Sequence, residues 1–150
     1  MSHLVTETME IHDLDALAEA AEACGMELVR DQQTFKWYGR SVGDYPLPAG
    51  FTADDLGKCS HAVRVKGVGS QTYEIGVVER RDAAGNRLPG YSLLYDFWRG
   101  GFGLLAAAGK ECSYLKQQYT LAGIKKTLGN RWRVAGVQTL ENGSMKVVLS

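Results

Sequence analysis

YSLLYDFWRGGFGLLAAAGKECSYLKQQY, residues 91–119, decides the fold. Its first part reads as a β-strand, because Tyr91, Leu93 and Tyr95 alternate onto one face. Gly100, Gly101 and Gly103 then interrupt the chain. The apolar run 104–108 begins a helix that Gly109 breaks. Helical spacing resumes over 110–128. There Tyr114, Leu121, Ile124 and Leu128 form one apolar stripe, and Leu115, Tyr119 and Ala122 a second beside it. Lys116, Thr120 and Thr127 fall on the remaining face. A strand, a glycine turn and the longest helix therefore follow one another.

Working upstream, residues 61–66 and 72–79 alternate cleanly around a Gly-Val-Gly-Ser turn and read as an antiparallel hairpin. Residues 82–86 make the next turn and 88–96 the strand that enters the quoted stretch. At the N-terminus, 1–11 alternates as a strand with Val5, Met9 and Ile11 on the buried side. Asp13 is an N-cap, since its carboxylate can accept free amides of a first helical turn. The helix 13–24 closes at Gly25, which tolerates the left-handed conformation, and 26–30 is a short strand. Phe35 and Trp37 are strand-like. Residues 39–58 read as a long loop with one helical turn at 52–56 and with Tyr45 and Phe51 folding back as a flap. Downstream, 132–140 and 145–149 flank Asn142-Gly143, a pair suited to a type I′ hairpin turn, and Gly136 marks a bulge. The order predicts an α+β fold: a mostly antiparallel sheet with two long helices packed on one face. With no repeat, low-complexity tract or linker, residues 1–150 are expected to form one domain.

A chain of this size buries roughly 68–70% of its unfolded surface, so its core needs no disulfide or metal. The net charge is zero, but its distribution is uneven. Residues 1–55 carry eleven acids and three bases, residues 56–109 four acids and seven bases, and residues 110–150 two acids and seven bases. Pairing of the acidic start with the later bases is the expected use of this asymmetry. Cys24, Cys59 and Cys112 are odd in number and widely spaced, which makes no disulfide framework. No signal-peptide pattern opens the chain, so the cytoplasm is the expected location. No apolar run approaches about 18 residues, the length that marks a membrane span.

The familiar catalytic motifs fail on spacing. Gly103 and Gly109 enclose five residues and Lys110 is followed by Glu111, whereas a phosphate loop encloses four and continues with Ser or Thr. Cys59 and His61, with His3, His12, Cys24 and Cys112, lack the paired spacing of zinc ligands. Cys112 has no motif that would make it a nucleophile. No metal and no cofactor are expected.

The opening Met-Ser-His of residues 1–3, the run Ile-His-Asp-Leu-Asp-Ala-Leu of 11–17 leading to Gly25, Tyr95-Asp96-Phe97, Gly103-Leu104, Gly109-Lys110 and Leu-Lys-Gln-Gln-Tyr of 115–119 form an ordered set. In this set the chain resembles the family known as domain of unknown function 1257, found in cyanobacteria, plastids, other bacteria and bacteriophages. The resemblance implies a small cytoplasmic α+β domain and brings no established activity or catalytic residue. It groups His3, Asp96, Lys110, Lys116, Gln117 and Tyr119 as one polar set.

The leading functional expectation is a binding or adaptor domain, more an interaction module than an enzyme. It holds a protein partner or a small nucleotide-like anion at the glycine turn after Tyr95. In the anion form Trp98 stacks, Arg99 and Lys110 neutralise charge, and amides near Lys110 face the ligand. The alternative is an enzyme with His3 and Asp96 as acid–base groups. Nucleic-acid binding through the basic C-terminal third ranks below both. No membrane partner is expected, and an uncovered sheet face offers a surface for a homodimer.

Overall fold

The period-two segments at 61–66, 72–79 and 88–96 carry strands, whereas of the strand expected over 1–11 the described residues keep only Val5–Thr6 and an isolated bridge from Ile11 to Tyr91. A computed structural model of the chain describes residues 5–6, 9–37, 57–67, 71–96, 98–128, 134–139 and 145–149. In chain order the elements are β1 (Val5–Thr6), α1 (Leu14–Ala23), β2 (Met26–Arg30), β3 (His61–Val65), β4 (Ile75–Arg81) and β5 (Arg87–Tyr95). A tight turn over Trp98–Gly103 leads to α2 (Leu104–Ala108), a second over Lys110–Cys112 leads to α3 (Ser113–Leu128), and β6 (Val134–Thr139) and β7 (Met145–Leu149) follow. The strands β1-β5-β4-β3-β2 form one antiparallel sheet in that order, while β6 and β7 pair with each other. The expected α+β architecture is the observed one.

Register assigns the two faces of the sheet. His61 lies opposite Val77, and Val77 opposite Leu93. Leu28, Val63 and Ile75 form the next row. Val63, Ile75, Val77 and Leu93 meet Leu17, Ala20 and Ala21 of α1, Leu104 and Ala108 of α2, and Leu115 of α3 in one buried cluster, with Leu28 packed against it. Both long helices thus cover the same face.

The opposite face carries the row Val29, Ala62, Gly76 and Leu94. Phe35 covers it, packing with Ala62, Val78 and Leu94. The ring occupies the space a side chain at residue 76 would need: a Cβ there would meet Phe35 Cδ1 and Cε1 at 2.5 Å. The segment carrying Phe35 is tied down by several bonds. Phe35 N–H donates to the Gly57 carbonyl (2.9 Å), Cys59 N–H to that of Gln33 (2.9 Å), and Glu74 N–H to that of Lys36 (2.9 Å). Glu74 Oε1 accepts from the Lys36 amide (2.9 Å) and Gln32 Nε2 (3.1 Å). The strand-like reading of Phe35 therefore resolves into a strap over the second sheet face.

Helix α1 has the ends its sequence requires. Asp13 Oδ1 accepts the Ala16 amide at 3.1 Å, and Gly25 has φ +73° after the last turn. The third helix departs from expectation at its start. Glu111 and Cys112 have φ of 54° and 57°, so the helix proper begins at Ser113 rather than Lys110. The bulge at Gly136 is present as a register shift between Val134 and Gly136. The Tyr45–Phe51 flap, the helical turn at 52–56 and the Asn142-Gly143 turn lie outside the described residues.

Two glycine substitutions should move stability in opposite directions. Gly76→Val must displace the Phe35 ring and should cost about 1–3 kcal/mol in denaturant unfolding, the range of overpacked cores. Gly123 lies inside α3 with no neighbouring atom within 4 Å of a built Cβ. Gly123→Ala should stabilise by about 1 kcal/mol through helix propensity.

Candidate functional site

The site is built where β5 ends. Arg99, Gly100, Gly101 and Phe102 have φ of 50°, 67°, 61° and 54° in succession, a left-handed turn. Glycine accepts this backbone freely, whereas each L side chain there costs roughly 1–2 kcal/mol. Gly101 has a second reason to be glycine. A Cβ would stand 2.8 Å from Leu104 Cβ and 3.3 Å from the Asp96 carbonyl oxygen. The turn is clamped by the residues leading into β4. Tyr73 N–H donates to the Gly101 carbonyl at 2.9 Å, and Thr72 Oγ1 donates to that of Phe102 at 2.9 Å. The Phe102 ring stands edge-on to Tyr73 at 5.3 Å.

Helix α2 sends Leu104 and Ala108 into the core and leaves Leu105 outside. Its end is closed by Gly109, whose N–H donates to the Leu105 carbonyl at 2.8 Å. Among the described residues five large apolar side chains are exposed, and three belong here: Phe102 at 40%, Leu105 at 36% and Tyr114 at 55%. Arg99 and Lys110 are also exposed. The others, Val137 and Val148, lie on the C-terminal hairpin.

The residues singled out from the sequence separate into groups. Arg99 and Lys110 lie on the turn and its exit. Asp96 is buried at 1% exposure, directly before the turn, so its carboxyl has almost no solvent access. Lys116 and Gln117 are half-buried on α3. His3 lies outside the described residues, and of Trp98 only the backbone is described. The amides near Lys110 do not form the first turn of a continuous helix, because left-handed Glu111 and Cys112 intervene and Cys112 N–H is spent on the Gly109 carbonyl at 3.0 Å.

Tyr119 has a structural task away from the turn. Its hydroxyl oxygen accepts the backbone amides of His12 (3.1 Å) and Asp13 (3.3 Å), at the start of α1. About two helical turns further along, Lys126 Nζ donates to Asp13 Oδ2 at 2.7 Å. Helix α3 is thereby fastened to the N-terminus of α1. The hydrogen bond from Lys126, aided by the Ala16 amide, holds the Asp13 carboxyl below its usual value. The same contact raises the Lys126 ammonium.

The remaining nucleophiles and ligands are engaged in the fold. Cys59 Sγ donates to the Gln32 carbonyl at 3.0 Å, and burial, with Glu74 nearby, pushes its thiol up to about 12. His61 Nδ1 accepts the Asp31 amide at 2.9 Å, so its neutral ring carries its proton on Nε2. Cys112 is fully buried. Among the described residues no three His, Cys, Asp or Glu side chains gather as a metal site.

Sequence reasoning placed Tyr114 in an apolar stripe of the core, and the structure corrects this. Helix α3 turns its second stripe inward, burying Leu115 and Ala122, while Tyr114 of the first stripe lies outward. Phe102 and Leu105 were not singled out. The available signal was three glycines around one phenylalanine, since a left-handed backbone there turns the ring out of the strand-to-helix path. No family model, curated protein or solved structure matches the chain.

Two measurements check the α1–α3 fastening. Tyr119→Phe removes the acceptor of two amides and should cost about 1 kcal/mol in unfolding free energy. Asp13 is depressed in the folded state, so its contribution is present above the unfolded value and lost as pH falls through the folded one. Melting temperature should drop as pH falls below about 4, and Asp13→Asn should flatten that part of the profile.

Proposed function

We propose that the protein is a small binding or adaptor domain rather than an enzyme, and that it holds its partner at the glycine turn after Tyr95. A cytoplasmic setting belongs to this reading, as does kinship with the domain of unknown function 1257 family on the ordered motifs given above. That kinship supplies no catalytic residue. Among the described residues no helix is long and apolar enough to cross a membrane.

One observation carries the reading: Phe102, Leu105 and Tyr114 are exposed on one short stretch, beside exposed Arg99 and Lys110. Singly exposed apolar residues are ordinary, but grouped ones with a polar rim mark interaction surfaces. Aromatic anchors with arginine are the residue types that dominate binding hot spots. A protein partner uses all of these groups. A nucleotide-like anion uses the two cations and an aromatic plane, and is the narrower form of the same proposal.

A thermal-shift screen with nucleotides and cyclic nucleotides tests the anion form, followed by amide shift mapping of any ligand that stabilises the fold. Perturbations centred on residues 98–114 are expected. Perturbations centred on the β2 edge or the C-terminal hairpin would defeat this placement of the site. No stabilisation by any nucleotide would remove the anion form and leave the protein partner.

A further inference from the structure

We infer that His61 is a proton-sensitive latch: a proton taken up on its Nδ1 releases the Asp31 amide and lets the strap that carries Phe35 lift from the second face of the sheet. The inference concerns a different part of the molecule from the binding site proposed above and does not rest on it.

The strap is the β2–β3 hairpin continued past a fault. Arg30 lies opposite His61 in the last regular pair. Pairing resumes with Thr34 opposite Lys58, so the three residues 31–33 face the two residues 59–60. One extra residue on one strand is a β-bulge, which bends a ribbon and increases its twist. Here the bend lays Phe35 over Ala62, Val78 and Leu94, in the space that Gly76 leaves. The backbone absorbs the extra residue at Asp31, whose φ of 63° is left-handed. Asp adopts this conformation more readily than most side chains, though less freely than glycine.

His61, on the opposite strand, holds the bend. Its Nδ1 accepts the Asp31 amide at 2.9 Å, while its ring is buried and stands edge-on to Tyr91 at 5.5 Å. Nδ1 can accept only while it carries no proton, because both nitrogens of an imidazolium are donors. Protonation there sets two N–H groups against each other at the hinge. Among the described residues no carboxylate bonds to the ring. Arg30, opposite on β2, pairs with Asp15 of α1, and Glu79 of β4, opposite Tyr91 of β5, pairs with Arg87. The Asp31 carboxylate is itself exposed.

The strap is built to move as a unit. The bonds from Phe35 N–H to Gly57, from Cys59 N–H to Gln33 and from Cys59 Sγ to Gln32 lie within it. Two polar clasps fasten it to the sheet: His61 at the hinge, and Glu74, which binds Gln32 and Lys36. Losing the first leaves the strap on Glu74 and the Phe35 ring.

NMR of the full chain across pH tests this, with the His61 ring titration followed alongside amide hydrogen exchange corrected for its intrinsic pH dependence. Protection of the Asp31 amide should fall by about tenfold or more, as expected when one buried bond is lost. The Phe35, Lys36 and Cys59 amides should follow with the midpoint of the His61 ring, while Ala20 and Ala21 inside α1 stay protected. His61→Asn keeps an acceptor near the Nδ1 position and does not titrate, so its strap should stay protected across the same range. His61→Leu has no acceptor, and its strap should exchange fast throughout. An Asp31 amide that stays protected while the His61 ring titrates would overturn the inference. So would a loss of protection that persists in His61→Asn and disappears in Glu74→Gln, which would make Glu74 the latch. Simultaneous loss at Ala20 and Ala21 would mean global unfolding and would also overturn it.

Discussion

The left-handed turn at Arg99–Phe102 is the constraint on which the remaining arrangement depends. It takes the chain out of β5 and delivers it to α2 with Leu104 directed into the core. Two bonds from Thr72 and Tyr73 hold it, so the approach to β4 and the exit of β5 are locked at one end of the sheet. Helix α3 can then lie beside α1, where Tyr119 and Lys126 reach the α1 N-terminus. The same turn that sets the helices also leaves Phe102 outside. Architecture and candidate site therefore share a cause.

Much of this was legible in the sequence. Period-two alternation gave β3, β4 and β5, and Asp13 and Gly25 marked both ends of α1, because these signals are local. The sheet order follows from meandering hairpins plus an N-terminal strand returning to β5. The tertiary signals were harder to read. Nothing local tells that Phe35 lies over Gly76, since that contact joins residues far apart in the chain. Tyr119 entered a polar set through the family resemblance and an apolar stripe through its spacing; its partners are backbone amides at the start of another helix, which neither signal reveals. Tyr114 followed helical spacing into one stripe of α3, but packing buries the neighbouring stripe of Leu115 and Ala122, a choice that spacing within the helix does not make.

The uneven charge of the chain has two roles. At the N-terminal side it is largely internal: Glu10 bridges Arg80 and His12, with His12 Nε2 at 2.9 Å. The hydrogen bond to His12 and the field of Arg80 hold the Glu10 carboxyl below its usual value. Such exposed pairs orient surfaces more than they stabilise them. At the turn the exposed side chains are Arg99 and Lys110 together with Phe102, Leu105 and Tyr114, while Lys126 of α3 is paired back to Asp13.

The central claim is that the turn holds Phe102 in a left-handed backbone with its ring toward solvent. Solution NMR tests it directly, through the intraresidue amide-to-Hα cross-peaks of Arg99 and Phe102 and the response of the Phe102 ring to a soluble paramagnetic agent. Positive φ predicts strong cross-peaks at both residues, and exposure predicts marked broadening of the ring signals. Weak cross-peaks together with a ring protected from the agent would contradict the account.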